Sequence, residues 1–166
     1  MSNTIKTVLV TGASGLVGSR LLQMLNRKGY VIHTLGRKKQ KAQDTNTQSF
    51  VWDVDAGYIE EGALEGVDAI IHLAGAGVAD SKWTAARKRE ILDSRVQSTQ
   101  LLFHTLQKMN HHIQVIVSAS AVGYYGDCGP RVVTEVHPVA DTYLADVCKQ
   151  WEDNVARFST QGIREV

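Results

Sequence analysis

Cysteine and proline are scarce in this chain, with two of each among 166 residues. Cys128 and Cys148 can close one bridge at most, which excludes a disulfide-framework fold and makes a reducing cytoplasm the expected compartment. Neither sign of charge prevails. Eighteen Lys and Arg face 17 Asp and Glu, for a formal net charge of +1, and so even a balance leaves no electrostatic footprint for nucleic acid or an anionic membrane. Long hydrophobic runs are missing too. Stretches such as Val8-Leu-Val10 and Val115-Ile-Val117 stop far short of the roughly 20 residues of a membrane-spanning helix. The start, Met1-Ser-Asn-Thr-Ile-Lys6, has no apolar core of a signal peptide. These exclusions leave an expected soluble globular domain, 43% hydrophobic and 21% charged, whose partner is a small molecule rather than nucleic acid or a membrane.

What is there alternates between strand and helix. Thr7-Val-Leu-Val-Thr11 is a β-branched run stopped by Gly12. Leu16, Val17, Leu21, Leu22 and Leu25 then recur at helical spacing and end at Gly29. Tyr30–Leu35, Ser49–Trp52, Asp68–Leu73 and Ile113–Ser118 read as further strands. The polar, basic stretch Arg37–Gln48 has no apolar face and predicts a mobile loop. Leu92, Val96, Thr99, Leu102 or Phe103, Leu106 and Met109 mark one stripe of a long helix. Val122–Asp141, which holds both prolines, reads as a surface loop. Leu144, Cys148, Trp151, Val155 and Phe158 mark another helix, closed by Gly162, and Ile163–Val166 opens a sixth strand. This alternation predicts an α/β fold, a Rossmann-type doubly wound parallel sheet with helices on both faces.

The first strand-to-helix turn carries the clearest chemistry. Thr11-Gly-Ala-Ser-Gly-Leu-Val-Gly18 places glycines at 12, 15 and 18. Gly12 permits a tight turn, Gly15 lets backbone N–H groups approach a pyrophosphate, and Gly18 allows the helix to pack on the strand. Leu16 and Val17 open the helix whose N-terminus favours an anion, and Ser14 adds a hydroxyl donor. The residues after the second strand select the cofactor. An acid there would hold a ribose 2′-OH. This chain has Gly36 followed by Arg37, Lys38 and Lys39, and an arginine fork grips a 2′-phosphate. NADP is therefore favoured over NAD. Asp53 and Val54 at the end of the third strand are candidates to line the adenine, with a plain surface turn as the alternative for Asp53. Leu73-Ala74-Gly75 ends the fourth strand with small residues that let a dinucleotide lie against the sheet edge.

Together, TGASGLVG, the strand ends HLAG and VSAS, and a following Tyr-Gly resemble the extended short-chain dehydrogenase/reductase superfamily, in its NAD-dependent epimerase/dehydratase-like branch. SKWTAARKREILDSRV (81–96), SASAVGYYGD (118–127) and LADVCKQWE (144–152) narrow the resemblance to proteins called the epimerase family, whose substrates are generally unassigned. The resemblance implies hydride transfer at a nicotinamide, with a tyrosine passing the proton, a lysine four residues later and a serine polarising the substrate. Setting Glu152 in the family register puts the tyrosine position at Leu144 and the lysine position at Cys148, and neither side chain can do that work. Tyr143 and Lys149 lie nearby, but their spacing points them to faces about 120° apart.

Ser120 matches the catalytic serine, Ser118 shares its strand end, and Tyr125 is a candidate to bring a phenol into the site. Arg95 falls where the long helix approaches the cofactor in this superfamily. His72 reads as a core histidine, Trp83 and Trp151 as packing anchors, and Arg87, Lys88 and Arg89 as a solvated helix face. His111 and His112 lack a cysteine or acid cluster, and no metal site is expected. Members of the resembled family are longer. The chain is thus expected to hold a dinucleotide-binding domain over residues 1–166, cut at its sixth strand and without a C-terminal substrate portion. The function expected is an NADP-binding, oxidoreductase-like protein of unknown substrate. A non-catalytic dinucleotide-binding module or redox sensor, and a nucleotide-sugar epimerase or dehydratase, are the alternatives. Oligomeric state is not legible.

Overall fold

The computed structural model describes residues 4–41 and 44–166. In chain order its elements are β1 (Thr7–Thr11), α1 (Leu16–Arg27), β2 (Val31–Gly36), β3 (Thr47–Asp53), β4 (Tyr58–Ile59), β5 (Ala69–His72), α2 (Ala85–Gln107), β6 (Val115–Ser118), α3 (Tyr143–Ala156) and β7 (Arg164–Glu165), with 3₁₀ turns at Val122–Tyr125 and Arg157–Gln161. The strands make one sheet in the order β4-β3-β2-β1-β5-β6-β7. Every pairing is parallel except the β3–β4 hairpin. Setting β4 aside, this is the doubly wound order, and it reverses between β1 and β5, where open α/β sheets bind their ligands.

The pleat sorts the apolar side chains into two layers. Val8, Val10, Ile32, Ala69 and Val115 pack on one face with Leu25 of α1. Leu9, Leu35, Ile70 and Ile116 pack on the other with Leu102, Phe103 and Leu106 of α2 and Trp151 and Val155 of α3. Leu9, Ile70, Leu102 and Phe158 are fully buried, each contributing about 1.5–3 kcal/mol. Register aligns Thr11 with His72 and His72 with Ser118, which places the carboxyl ends of β1, β5 and β6 in one row.

Several boundaries differ from the sequence reading. β4 has no counterpart there, because two residues are too few for a period. The stretch expected as a mobile loop yields its end to β3, which begins at Thr47. Its described part is tied down by Gln40 N–H to Ser49 Oγ at 2.9 Å and by Asn26 to Asp44 at 2.5 Å, and residues 42–43 lie outside the described residues. On α2 the buried stripe is Ile91, Ser98, Thr99, Leu102, Phe103 and Leu106. Leu92 and Val96 are only half-buried, because the helix turns two hydroxyl side chains toward His72. No helix among the described residues is long and apolar enough to cross a membrane.

Candidate functional site

The glycine turn is built to bring backbone close to backbone. Gly12 has φ +67°, and a Cβ there would stand 2.7 Å from the Leu73 carbonyl carbon and oxygen and 2.9 Å from Ala74 N. A Cβ on Gly18 would stand 2.3 Å from Gly12 O and 2.8 Å from Ala13 Cα. Hydrogen alone fits at both places, so the turn, the first helical residues and the end of β5 form one tight cradle. Gly15 is the N-cap of α1, with no side-chain cap and no acidic residue in the first turn. α2 and α3, in contrast, are capped by the hydroxyls of Thr84 and Thr142. The free N–H groups at the start of α1 thus face outward beside the exposed side chains of Ser14, Leu16 and Val17. These residues fit the diphosphate of a dinucleotide.

A buried polar chain anchors the cradle. Thr11 Oγ1 accepts the N–H groups of Leu73 and Ala74, both at 3.1 Å, so its own hydrogen goes to His72 Nδ1 at 2.7 Å. His72 Nε2–H then donates to Thr99 Oγ1 at 3.0 Å, and Thr99 donates to the Arg95 carbonyl at 2.7 Å. Full burial lowers the His72 pKa from 6.5 to about 4, keeping the ring neutral. The core histidine of the sequence reading is thus also the link between β1, β5 and α2.

At the carboxyl end of β2, Gly36 closes the strand and Arg37 follows it exposed to solvent. Lys39 pairs with Glu60 at 2.7 Å, whereas among the described residues no hydrogen bond or ion pair engages the Arg37 side chain. Asp53 stands at the carboxyl end of β3, where its Oδ1 accepts the Ala56 N–H at 3.0 Å and closes the turn into β4. Val54 packs against the core beside it.

The segment after β5 is clamped by α2. Ser94 Oγ accepts the Ala76 N–H at 2.9 Å, and Arg95 donates to the Ala76 carbonyl at 3.1 Å. Arg87 donates to the Gly77 carbonyl and to Asp80 and Glu90 with only 14% of its side chain exposed. This corrects the solvated face expected for Arg87; its partners lie 10, 7 and 3 residues away, and the first two become neighbours only through the loop.

The far end of the cleft gathers Ser118, Ser120, Tyr125, Cys148 and Glu152. Ser118 Oγ donates to the Ala119 carbonyl at 3.2 Å, the capping alternative for a strand end. Ser120 Oγ donates to Glu152 Oε1, a partner that sequence reasoning used only as a register mark. Ser118, Ser120 and Glu152 line a cavity of about 380 Å³ together with Val155, Ala156 and Val166. Tyr125 lies in a 3₁₀ turn against Tyr124, with ring centroids 5.2 Å apart. Burial and the carboxylates of Glu135 and Glu152 raise its phenol pKa. Cys148 is buried, and burial followed by Glu152 pushes its thiol up, so it stays protonated. Tyr143 donates its hydroxyl to the Lys88 carbonyl at 2.7 Å, and Lys149 pairs with Asp153 at 2.5 Å on the exposed side of α3. No group of three or more metal-ligating side chains occurs among the described residues.

Known proteins resemble this chain over its whole extent. The family described as NAD dependent epimerase/dehydratase matches residues 8–150. An epimerase family protein of Mycobacterium bovis is 32% identical over 166 residues, covering 100% of this chain and 52% of its own length. Among solved structures, human epimerase family protein SDR39U1 (isoform 2) with NADPH superposes with a TM-score of 0.78 at 26% identity, over 96% of this chain and 51% of the human one. The nucleoside-diphosphate sugar epimerase of Corynebacterium glutamicum gives 0.78 at 33% identity, over 98% of this chain and 33% of its own. The chain spans about half the length of the curated relatives it matches.

Proposed function

The chain belongs to the NAD dependent epimerase/dehydratase family, and from that premise we propose that it binds NADP(H) as an atypical short-chain dehydrogenase/reductase lacking the usual tyrosine–lysine pair. The observation that carries this reading is the cradle of Gly12 and Gly18, where any Cβ would strike backbone, beneath a helix end with no cap of its own. Arg37 adds the choice of cofactor. It stands directly after β2, unpaired, where a 2′-phosphate would supply its counter-charge, and the human relative was solved with NADPH.

When bound, the nicotinamide supplies hydride transfer. The residues of this chain bind and orient. Backbone N–H groups of the 12–18 turn hold the diphosphate, with Ser14 donating beside them. Gly36 and Arg37 receive the adenosine end, Asp53 and Val54 flank the adenine, and Leu73, Ala74, Gly75 and Arg95 line the inner wall. Ser118 and Ser120 close the reactive end. In the direction that oxidises a substrate hydroxyl, Ser120 can take that proton as it passes its own along the hydrogen bond to the Glu152 carboxylate, and the reverse relay returns a proton to a carbonyl oxygen. Tyr125, kept protonated, is a donor rather than a base. A second reading, a binding module that senses dinucleotide state without turnover, is favoured by the engagement of Tyr143 and Lys149 in separate contacts.

Fluorescence titration with NADPH and NADH tests the first reading. Affinity for NADPH is expected to exceed that for NADH by about tenfold or more, or roughly 1.4 kcal/mol. Equal affinities would sink the choice of NADP, and binding of neither would sink the function. NADPH binding without turnover across carbonyl substrates would favour the sensor.

A further inference from the structure

The cavity beside Ser120 carries charge of one sign. Its volume of about 380 Å³ is at the small end of the roughly 300–1,000 Å³ usual for ligand pockets. The carboxyl end of β6, the last turns of α3 and the edge strand β7 enclose it. Val155 and Val166 give it apolar walls, Glu152 and Glu165 are its charged residues, and no Lys or Arg lines it among the described residues. Register pairs Glu165 with Ile116, which faces the layer of α2 and α3. Glu165 therefore leaves the sheet on the side where α3 presents Glu152. Neither glutamate has a cationic partner among the described residues, whereas Asp153, next to Glu152 on α3, pairs with Lys149 at 2.5 Å and Glu60 pairs with Lys39 at 2.7 Å. The whole chain has a formal net charge of only +1, so the negative potential here is local.

Two uncompensated carboxylates beside an apolar wall match an ammonium on a hydrocarbon body. A carboxylate or a diphosphate in the same place would meet like charge, which sets the cavity against a nucleotide-sugar ligand. We propose that this cavity binds a small organic amine, its ammonium neutralised by Glu165 and Glu152 and its hydrocarbon body laid on Val155 and Val166. Ser120 occupies Glu152 Oε1, which leaves Oε2 for the ammonium. Because Ser120 belongs to the same lining, the substrate class becomes an amino alcohol or amino ketone, with its oxygen at Ser120 and its nitrogen at the glutamates. The substrate class rests on the NADP-binding reading above; the amine site does not.

Titrating the isotope-labelled chain at neutral pH, without dinucleotide, with cyclohexylamine, cyclohexanol and cyclohexanecarboxylate separates charge from apolar contact. The amine is expected to bind about tenfold more tightly than the carboxylate and to shift the backbone amide signals of Ser118, Ser120 and Val166. Glu165→Gln should weaken the amine by about fivefold while leaving cyclohexanol within about twofold. Asp153→Asn removes an α3 carboxylate outside the cavity and should leave the amine within about twofold. Glu165 is exposed, so its variant should melt within about 2 °C of wild type. An amine that binds no more tightly than the carboxylate, or that moves no amide of the cavity, overturns the proposal. Equal losses of amine affinity in Glu165→Gln and Asp153→Asn overturn it as well. A chain that binds the amine but neither dinucleotide keeps the amine site and sinks only the preceding reading.

Discussion

The two ends of the cleft are made of different material. At the β1–α1 turn nearly everything that matters is backbone: N–H groups at a helix start, carbonyls in contact, and glycines that admit no Cβ. At the β6–α3 end it is side chains: a serine on a glutamate, a buried thiol and an arginine from a neighbouring helix. Backbone contacts constrain the amino acids severely, because only glycine satisfies them. Side-chain contacts admit substitution, so one end can keep the family's pattern while the other exchanges its chemistry. The row Thr11, His72, Ser118 ties the two ends across three strands.

The sharpest way to break this contrast is at Gly18. Gly18→Ala puts a methyl 2.3 Å from Gly12 O and 2.8 Å from Ala13 Cα, and neither is a side chain that can swing away. A loss of about 3 kcal/mol is expected, at the upper end for overpacking, with a fall in melting temperature of about 6–12 °C. NADPH affinity should drop by about a hundredfold. A variant that melts and binds like wild type would show that the cradle is not tight.

His72 tests the connection between the ends. Its pKa is about 4 when folded against 6.5 in its ordinary state. Below pH 6.5 the unfolded chain takes up a proton that the folded ring refuses, so stability falls with pH down to about 4 and is unaffected above 6.5. The loss integrates to about 3 kcal/mol. Urea unfolding at pH 7 and pH 4.5 should show the advantage of wild type over His72→Gln shrinking by about 2–3 kcal/mol on acidification. An unchanged difference would mean that the ring is not buried as a neutral group.

Arg37 asks how far the end of β2 follows the backbone rule, since there a single side chain is expected to choose. Arg37→Glu should weaken NADPH by about 10- to 100-fold, the worth of charge-assisted hydrogen bonds, while leaving NADH within about threefold. A parallel loss for both would assign the residue to folding instead of selection.

How much of this the amino-acid order discloses follows the same division. β1, α1 and the turn between them are legible because their causes are local: a β-branched run, a leucine stripe and three glycines at fixed offsets. β4 is not, since Tyr58 and Ile59 pair with Asp53 and Trp52 only after the turn has formed. His72 can be read as buried, but its link from Thr11 to Thr99 spans 61 residues in one direction and 27 in the other. Arg87 reads as a solvated charge until the loop delivers the Gly77 carbonyl. Ser120 and Glu152 are 32 residues apart, and no spacing rule joins them.

That last pair gives the smallest expected effect on stability and binding, and the strictest check on the contrast. Ser120 is exposed, and its bond to Glu152 is reached by water, so its removal resembles an ordinary surface change of about 0.5 kcal/mol or less. Ser120→Ala should keep its melting temperature within about 2 °C of wild type and NADPH affinity within about twofold. If the chain turns over a carbonyl substrate, the same variant should lower kcat by about 10²-fold while KM stays near its wild-type value, because a hydroxyl that moves a proton acts on the transition state and not on binding. A tenfold loss of NADPH affinity in Ser120→Ala would mean that the serine end helps hold the dinucleotide, and the division between a binding end of backbone and a reacting end of side chains would fail at that residue.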